Sequence, residues 1–586
     1  MKLALLALCL TAASTLVAQS QGAALHALFD REWDWQMQQN PAFASELGDR
    51  RWNDRWPDVS LSAIEMRHQH HVAVLQELKR IPSAALSPAD QLNSDLFRKQ
   101  LETDIEEHQF HWYLIPLNQR GGIQTSNELG DALRFTTVKD YEDWIARLNG
   151  FGGYMQQTIA LMRQGIREHM LLPRIIMQRI PGQIGKQTVD DPAGSSYYKP
   201  FLRMPESFSP ADRERLQRAG QQAIFAVVIP AFRTFHDFFV NEYLPACPEE
   251  VGIWKLPNGD AMYRFFVRRF TTTGMTPEQV HQVGLDEVKR IRAGMEKIRE
   301  QVGFQGSLAE FFQYLRSDPK FFYHDPQELF RAYQVQAKTI DPNLVKVFRV
   351  LPRTPYGVEA IPAITAPDTT AAYYRQLAAD GSRAGTYFVN LYKPESRPKW
   401  EITALTLHES VPGHHLQIAL SYEQGELPKF RRYGSYDAFV EGWALYAESL
   451  GNDMGLYSDP YNKFGELAYD MWRAVRLVVD TGMHSMKWTR QQAIDFFMQN
   501  APRAELDIVN EIDRYIAWPG QALGYKVGQL TIKDLRAQAS RRLGANFDLK
   551  EFHEVVLRNG ALPMDVLQRQ VEEWIRGKCE NVKCEM

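Results

Sequence analysis

Apolar residues recur every three or four positions over much of this chain, which is the period of an amphipathic α-helix. One helix is predicted to begin at the capping box that starts at Thr276, with Pro277 at its first position. It should end at Gly303, because glycine commonly closes a helix. Similar stretches cover residues 61–80, 90–112, 138–169, 209–242 and 326–339, and a further helix should begin after Thr489. Since neither an internal repeat nor a strand–helix alternation is visible, the sequence predicts a mainly α-helical fold.

Strand signals are confined to a small part of the chain. The clearest one, residues 386–392 (Thr-Tyr-Phe-Val-Asn-Leu-Tyr), follows a turn-like segment at 381–385. A second candidate is the Phe-Arg-Val-Leu segment at 348–351. The sequence therefore predicts a small β element within a helical protein.

The length alone would allow several domains. At about 150 residues per domain, 586 residues correspond to about four domains. However, no shift in composition marks a boundary, and the polar segment 189–208 is interpreted as a surface loop. We therefore expect residues 19–250 and residues 251–586 to be the two helical halves of one domain, with the functional site in the second half. The formal net charge of −4 argues against a nucleic-acid-binding protein.

The first eighteen residues have the composition of a secretory signal peptide. Lys2 supplies a positive charge, residues 3–18 are apolar or small, and cleavage is predicted near Ala18. A buried N-terminal helix is the alternative. The segment ending at Cys9 resembles a lipoprotein cleavage site, but the apolar run before it is short, so lipidation is less favoured. No other stretch reaches 18 apolar residues, so we expect an exported, periplasmic protein without a membrane span.

Removal of the signal peptide would leave three cysteines, Cys247, Cys579 and Cys584. The last two lie five residues apart in a polar tail, and in an oxidising compartment they are predicted to form a disulfide. Cys247 is then expected to be a free thiol.

The segment 408–415 (His-Glu-Ser-Val-Pro-Gly-His-His) holds three of the fifteen histidines of the chain. In the His-Glu-x-x-His helix of zinc enzymes, two histidines bind the metal from one helix face and the glutamate polarises the attacking water. This sequence departs from that spacing, because the residue four positions after His408 is Pro412. On a regular helix His414 would be rotated by about 120° from His408, and His415 would lie about 10 Å further along the axis.

The helix must therefore be distorted if His408 and His414 are to bind one ion. Pro412 removes a backbone donor and Gly413 tolerates unusual dihedral angles, so this pair is predicted to introduce the distortion. The alternative is a helix that ends at Pro-Gly, with histidines at its negative end. A second histidine-rich segment, residues 68–71, lacks a His-Glu pair and is interpreted as a solvated helix face.

A carboxylate motif follows the histidines. Glu441 lies 27 residues after His414, within the segment 439–448 (Phe-Val-Glu-Gly-Trp-Ala-Leu-Tyr-Ala-Glu). The small residues beside it would allow close helix packing, and catalytic zinc sites commonly combine histidines with a carboxylate. Glu441 is therefore the predicted third ligand. Glu448 shares its helix face and is predicted either to support the site from behind or to be a structural polar residue.

Together these motifs resemble the bacterial domain-of-unknown-function family 885 (DUF885), and the resemblance covers nearly the whole mature chain. The segments that carry it are His408-Glu409-x-x-Pro412-Gly413-His414, Glu441-Gly442-Trp443-Ala444, and residues 385–390, 473–484 and 515–525. The resemblance implies a relation to helical zinc peptidases of the gluzincin type. The implied fold is a large helical zincin-like fold with a small β element beside the metal helix.

The resemblance also implies specific roles for residues of the motif. One Zn²⁺ per chain would be held by His408, His414 and Glu441, and Glu409 would be the general base. Members of the family often have Tyr at the position of His415, which favours His414 over His415 as the second histidine ligand.

The remaining catalytic group should stabilise the tetrahedral oxyanion of peptide hydrolysis, which requires a hydrogen-bond donor beside the metal. Tyr525, Tyr515 and His484 are the candidates, since related peptidases commonly use Tyr or His. Each of the three could instead be a residue of the core.

Two groups of residues are predicted to bind substrate. Arg473 and Arg476 share a helix face and could bind a substrate carboxylate, although pairing of Arg476 with Asp480 is an equal alternative. The predicted strand that contains Tyr387 and Asn390 could bind a peptide by edge pairing through its backbone.

The sequence therefore predicts an exported zinc hydrolase that acts on a peptide or amide substrate, most favourably a peptidase with a cleft between its helical halves. Glu409 would take a proton from the attacking water and deliver it to the leaving amine. One alternative is a zinc-free helical binding or envelope-assembly protein with a degenerate site, against which the complete ligand set argues. The other is a zinc amidase that acts on non-peptide or cell-wall substrates.

Overall fold

A computed structural model describes residues 2–363, 366–378, 381 and 383–581. The contacts divide the chain into two units: Met1–Glu250 with Lys255–Asn258 and Pro428–Phe430, and Val251–Trp254 with Gly259–Leu427 and Arg431–Met586. The metal-site motifs all belong to the second unit.

The described part of the N-terminal half contains twelve α-helices. They are α1 Lys2–Gln39, α2 Pro41–Glu46, α3 Leu61–Leu78, α4 Pro88–His108, α5 Leu129–Ala132, α6 Val138–Arg167, α7 Arg174–Met177, α8 Ile180–Gly185, α9 Lys199–Leu202, α10 Pro210–Ala223, α11 Ile229–Phe238 and α12 Leu244–Ala246. The C-terminal half contains α13 Gly259–Thr271, α14 Pro277–Gln301, α15 Leu308–Ser317, α16 Pro326–Ile340, α17 Ile402–Glu409, α18 His414–Glu423, α19 Lys429–Arg432, α20 Asp437–Met454, α21 Pro460–His484, α22 Arg490–Asn500, α23 Glu505–Ala517, α24 Leu523–Leu543, α25 Leu549–Leu557 and α26 Met564–Asn581. The strands are β1 Tyr356–Ala360, β2 Ala372–Arg375 and β3 Gly385–Val389.

The helix predicted from Thr276 is α14, and both of its ends are as expected. The Thr276 hydroxyl accepts a hydrogen bond from the N–H of Gln279, whose side chain accepts one from the N–H of Thr276. At the other end Gly303 has a φ of +74°, which favours glycine. The helices predicted at 61–80, 90–112, 138–169 and 326–339 correspond to α3, α4, α6 and α16, and α22 begins after Thr489. The mainly α-helical class is therefore confirmed.

The helix predicted at 209–242 is a longer helical segment, Pro210–Ala246, that joins α10, α11 and α12 through two π-helical turns. Each π turn lies just ahead of a proline, Pro230 or Pro245, whose missing N–H and bulky ring interrupt regular α-helical hydrogen bonding. By length and composition this segment could cross a membrane. However, 44% of its most apolar window is buried inside the protein, and buried core helices have the same composition.

The strands form a small mixed sheet in the order β1-β3-β2. β3 pairs with β1 in parallel and with β2 in antiparallel orientation, and all of its residues are buried. The strand predicted at 386–392 is therefore β3, although it ends at Val389. The sheet packs on residues of α16, α17 and α21, namely Leu329, Tyr333, Ile402, Ala404, Leu405 and Tyr469. The predicted β element beside the metal helix is thus present.

Two local predictions are wrong. Residues 348–351 are not a strand: Val350 and Leu351 are 53% and 38% exposed, and no partner strand meets them in the described chain. The segment 189–208 is not a simple surface loop, because it contains α9 and the fully buried Tyr197, whose hydroxyl is bonded to that of Ser126. A few apolar side chains bury parts of this polar segment, and the average composition of the segment does not reveal them.

Cys247 is buried and free, as predicted. Cys584 lies outside the described residues, so the disulfide between Cys579 and Cys584 stays a prediction. The signal peptide at residues 1–18 also stays a prediction, and the backbone of its residues 2–18 belongs to α1.

Helices α20 and α24 approach closely where two glycines meet. A Cβ on Gly442 would lie 2.5 Å from the Cα of Gly528, and a Cβ on Gly528 would overlap the carbonyl oxygen of Ala438. Side chains are therefore excluded at this crossing. The close approach brings the face of α20 that carries Glu441 next to the start of α24, where Tyr525 lies.

A buried histidine ties α25 to the core of the second unit. His553 Nδ1–H donates to the carbonyl oxygen of Val347 at 2.8 Å, and His553 Nε2 accepts from the Tyr446 hydroxyl at 2.9 Å. Burial lowers the pKa of His553 to about 4. The neutral ring satisfies both contacts, whereas a proton on Nε2 would remove the acceptor for Tyr446.

Replacement of His553 by Asn should make the free energy of unfolding less dependent on pH in the acidic range. Between pH 6.5 and about 4, the unfolded chain binds a proton at His553 that the folded chain does not bind. The wild-type free energy of unfolding should therefore fall by about 3 kcal/mol more than that of the variant as the pH falls through this window. Asp480 acts in the opposite direction, because burial raises its pKa to about 7. The quantity to measure is thus the difference between the two proteins in urea unfolding, and a difference independent of pH would contradict the assignment.

Candidate metal centre

The two predicted histidine ligands lie on different helices. α17 ends at Glu409, and α18 begins at His414. Gly413 passes so close to the end of α17 that a Cβ would overlap a carbonyl oxygen of that helix. The carbonyl oxygen of Pro412 accepts a hydrogen bond from Trp443 Nε1 at 2.8 Å, which attaches this turn to α20. The Pro-Gly pair therefore interrupts the helix as predicted, but it produces a break between two helices, whereas a distortion within one helix was expected.

Three side chains converge at this break. Nε2 of His408 and Nε2 of His414 lie 3.7 and 3.5 Å from the same atom, Oε2 of Glu441. The three ligand atoms all lie within 4.8 Å of one another. Oε2 of Glu441 is buried and has no hydrogen-bond partner among the described residues. The residues predicted from widely separated motifs thus form one cluster.

This cluster fits a zinc ion. Zinc–ligand bonds of about 2.0–2.1 Å in tetrahedral geometry separate two ligand atoms by about 3.3 Å. The separations of 3.7 and 3.5 Å from Glu441 are close to that value. Two imidazoles and one carboxylate are also the donor set of catalytic zinc sites that keep a fourth position for water or substrate. The side chains of His414 and Glu441 are 12% and 21% exposed, so the cluster can be reached from outside.

Electrostatic contacts hold the cluster together. Burial alone would lower the pKa of His408, but its contacts with Glu441 and Glu448 raise that pKa to about 9. Burial would raise the pKa of Glu441, but the two histidines hold it well below its usual value. A metal ion requires the neutral imidazole, so metal binding is expected to release the proton of His408.

His415 points away from this cluster. Its Nε2–H donates to the carbonyl oxygen of Thr354 at 3.0 Å, and its Nδ1 accepts from the Tyr374 hydroxyl at 2.9 Å. Both ring nitrogens therefore hold neighbouring segments of the chain. Of the two adjacent histidines, His414 is the one that faces His408 and Glu441.

Glu448 supports His408 from the side opposite the cluster. Its Oε1 accepts a hydrogen bond from Nδ1–H of His408 at 2.8 Å, which leaves the Nε2 lone pair free for a metal. Nη2 of Arg473 lies 3.5 Å from the same carboxylate oxygen. All three side chains are buried. Of the two roles predicted for Glu448, this geometry corresponds to support of the site from behind.

Replacement of Glu448 by Gln should weaken zinc binding by about 10- to 100-fold without removing a ligand, because a carboxylate orients the ring and increases its basicity. Competition with a chromogenic zinc chelator measures this effect. Glu466→Gln is the matched control, since Glu466 is also a buried glutamate but pairs with Lys463 on α21. Equal zinc affinities of the two variants would contradict the proposed role of Glu448.

Glu409 directly follows His408 in the sequence, and it is 9% exposed. Among the described residues, no side chain forms a hydrogen bond or ion pair with its carboxylate. Its charge contributes, after burial, to the raised pKa of Tyr387, which places the two side chains near each other. A carboxylate beside the ligands and without a protein partner is available to accept a proton from water.

The three predicted oxyanion donors differ in availability. His484 uses both ring nitrogens, with Nδ1 accepting from the N–H of Ile253 and Nε2–H donating to the carbonyl oxygen of Tyr515. The Tyr515 hydroxyl donates to Glu511 at 2.7 Å. In contrast, the partly exposed Tyr525 forms no hydrogen bond within the described chain. Its phenol is therefore the one that remains free to donate.

The two predicted substrate-binding arginines have different neighbours. Arg473 lies against Glu448, behind the metal cluster. Arg476 donates from Nε to the Tyr515 hydroxyl at 2.8 Å.

The alternative pairing of Arg476 with Asp480 is wrong, because the Asp480 carboxylate accepts from the Tyr263 hydroxyl and the N–H of Gly520 instead.

Tyr387 and Asn390 are buried within the sheet region. Tyr387 is fully buried, and the side-chain amide of Asn390 donates to the carbonyl oxygens of Ala366, Thr369 and Thr370. β3 is the central strand, so edge pairing of a peptide with β3 is excluded. In the described part of the sheet the edges are formed by β1 and β2. Both edges lie beside α18: Tyr374 of β2 is bonded to His415, and the ring of Tyr356 of β1 lies 5.0 Å from that of His415.

Sequence reasoning missed an acidic residue one turn before Glu441. Asp437 accepts a hydrogen bond at Oδ1 from Nε2 of Gln521, which lies just before α24, at 2.8 Å. Gln521 Oε1 in turn accepts from Arg514 Nη1 at 2.6 Å. Burial and the charge of Glu441 raise the pKa of Asp437 to about 8. The four-residue spacing from the predicted ligand is the signal that could have identified Asp437.

The histidines at 68–71, predicted to lie on a solvated face, are half-buried, and Gln69 between them is exposed. His70 stacks on Trp35 at 3.8 Å between ring centroids, and its Nε2 lies 2.6 Å from a carboxylate oxygen of Glu32. His68 stacks on His108 at 3.9 Å. Partners distant in sequence cover part of this face. Within the described ranges, three convergent metal donors occur at His408, His414 and Glu441 and not here.

Comparison with solved structures identifies related folds. A candidate lipoprotein from Colwellia psychrerythraea aligns with 95% of this chain and 99% of its own, at 30% identity and a TM-score of 0.89. A candidate lipoprotein of unknown function from Shewanella oneidensis aligns with 94% of this chain and 99% of its own, at 17% identity and a TM-score of 0.71. A Pyrococcus furiosus carboxypeptidase covers 89% of this chain and 97% of its own at only 10% identity and a TM-score of 0.33, which is too low to indicate a shared fold. No curated protein matched.

A family model matches most of the length of this chain. The model of DUF885, described as a bacterial protein of unknown function, matches residues 41–571. That range includes every helix and strand around the metal cluster. The family predicted from the motifs is thereby confirmed, and this chain belongs to DUF885.

Proposed function

We propose that this protein is an exported zinc-dependent hydrolase of the zincin-like class that cleaves peptide bonds. The observation that carries the proposal is the convergence of His408, His414 and Glu441 within 4.8 Å. Glu409 lies directly after the first ligand, and no described side chain binds its carboxylate. This combination supports a catalytic site over a degenerate one, because a structural zinc site would fill all four positions with protein ligands.

In the proposed reaction the residues of this chain bind, orient and move protons. The zinc ion would supply Lewis acidity, which polarises the scissile carbonyl and lowers the pKa of the attacking water. The Glu409 carboxylate takes a proton from that water and delivers it to the leaving nitrogen. Glu448 holds the His408 ring in place through the 2.8 Å hydrogen bond to Nδ1.

Tyr525 is the proposed oxyanion donor. Its O–H would donate to the carbonyl oxygen as negative charge develops there. Burial, followed by the charge of Glu441, raises the pKa of Tyr525. The phenol therefore keeps its proton at neutral pH, as a donor must.

We propose that the peptide enters along β2, because this edge strand packs on α17 and its Tyr374 reaches the ring of the ligand His414. Tyr374 of β2 donates a hydrogen bond to His415 at 2.9 Å, and its ring lies 6.5 Å from that of His414. A peptide that adds to a sheet edge is held by its backbone, which suits a hydrolase that accepts varied side chains.

Export is the proposed location. The N-terminal apolar segment has the form of a signal peptide. The Colwellia and Shewanella proteins are described as candidate lipoproteins, which supports a role outside the cytoplasm. Cys9 lies within the apolar run, so we propose a cleaved signal peptide and a periplasmic protein.

Digestion of a synthetic peptide library by the zinc-loaded full chain tests the proposal. Mass spectrometry should detect defined cleavage products that disappear when a zinc chelator is added and return with zinc. The absence of cleavage by protein that contains about one zinc per chain would refute the peptidase assignment. Release of fragments from cell-wall material alone would indicate an amidase instead.

A further inference from the structure

Arg476 on α21 is a buried cation with unused hydrogen-bonding capacity. Its side chain is 5% exposed. Its Nε donates to the Tyr515 hydroxyl at 2.8 Å, and its Nη2 donates to Oε2 of Glu511 at 3.1 Å. Its Nη1 is buried and has no hydrogen-bond partner among the described residues. A guanidinium donates through a planar fork, so this group could accept one more anionic oxygen.

A second buried cation, Arg514, lies beside Arg476. Arg514 donates to the same Glu511 oxygen at 3.2 Å and to Gln521 at 2.6 Å. Within the described chain, these two buried cations therefore share the carboxylate of Glu511. Burial of an incompletely paired charge is costly, so a site with this arrangement is suited to an additional anion.

Arg476 lies beside the proposed catalytic residues. Its guanidinium carbon is 4.2 Å from the centre of the Tyr525 ring, and Tyr525 lies on α24, which crosses α20 at Gly442, the residue next to Glu441. Arg473, which contacts Glu448, precedes Arg476 by three residues on the same helix, a rise of about 4.5 Å. The unused donor therefore belongs to a side chain that packs directly on the proposed oxyanion donor.

A cation beside the oxyanion donor is placed to meet the end of a peptide. When the last residue of a peptide is removed, the terminal carboxylate lies one residue beyond the scissile bond, at about 3.8 Å of chain. An acidic side chain of that same residue would bring a carboxylate to a similar distance. Both sources provide the planar pair of oxygens that an arginine fork binds.

We propose that Arg476, supported by Arg514, binds a carboxylate of the residue that is cleaved from the C-terminus of the peptide substrate. The protein would then act as a carboxypeptidase. This inference rests on the proposed peptidase function and specifies its substrate class. The two arginines select the substrate, whereas Glu409 and Tyr525 act at the scissile bond.

Four short peptides of otherwise identical sequence test the inference with the zinc-loaded full chain. They carry either a free or an amidated C-terminus and either Glu or Gln as the last residue. If the terminal carboxylate is bound, both free acids should be cleaved with a kcat/KM about 10- to 100-fold higher than their amides. If the side-chain carboxylate is bound instead, the Glu peptides should be preferred regardless of amidation.

Arg476→Met should remove the preference by raising KM for the favoured peptide, while the zinc content stays unchanged. Arg490→Met is the matched control, because Arg490 is already paired with Asp513 through two hydrogen bonds. If Arg476→Met does not fold, Arg476→Lys retains the charge without the fork, and the wild-type comparison alone remains decisive. Equal cleavage of all four peptides would overturn this inference and leave the proposed function intact. No cleavage of any peptide would overturn both.

Discussion

Replacement of Glu409 by Gln is expected to lower kcat for peptide hydrolysis by about 10²- to 10⁴-fold while zinc remains bound. The amide has the size of the carboxylate but cannot take a proton from the attacking water. Glu409 is not one of the three convergent ligands, so its change should leave the metal donors in place. The measurement is a rate with a cleaved peptide, combined with the zinc content of the same preparation.

Glu426→Gln is the matched control for this variant. Glu426 is exposed and lies just beyond the end of α18, so its charge can be removed without touching the site. Its activity should equal that of the wild type. A fully active Glu409→Gln protein would refute the assignment of the general base, and loss of zinc from it would show that Glu409 acts on the metal instead.

The second large effect is expected at the ligands. His408→Ala and His414→Ala should each weaken zinc binding by more than the roughly 10- to 100-fold change typical of a residue that only orients a ligand. Each variant removes one of three convergent donor atoms, and the two that remain cannot define a tetrahedral site. Both should be inactive at zinc concentrations that saturate the wild type.

His415→Ala separates this effect from general damage to α18. His415 is adjacent to His414 in sequence and is buried, but its nitrogens are bonded to Thr354 and Tyr374. The variant should lose some stability and keep about one zinc ion per chain. Loss of zinc from His415→Ala but not from His414→Ala would reverse the choice of ligand.

The helices were predictable because their signals are local. Apolar spacing and the capping residue Thr276 act within a few turns of chain, and α14 begins and ends where they indicate. The central strand β3 was also visible, since a buried strand is a short run of β-branched and aromatic residues. The segment at 348–351 has a similar composition but meets no partner strand among the described residues, and strand formation depends on that partner.

The candidate site was partly predictable for the same reason. His408, Glu409, His414 and Glu441 belong to motifs whose residue types are restricted by metal chemistry. The choice of Tyr525 over Tyr515 and His484 was not predictable, because it depends on which of these side chains already form hydrogen bonds with other residues. The partial burial of the histidines at 68–71 was missed because Trp35 and His108 come from other helices.

The helical class, the DUF885 family and the candidate metal ligands follow from local periodicity and motif composition, which are visible in the sequence. The break between α17 and α18 and the orientation of His415 away from the cluster depend on tertiary contacts. The same is true of the position of β3 between two edge strands and of the carboxylate that Arg476 and Arg514 share. These features depend on hydrogen bonds and packing between distant segments, and a linear pattern does not specify which distant groups meet.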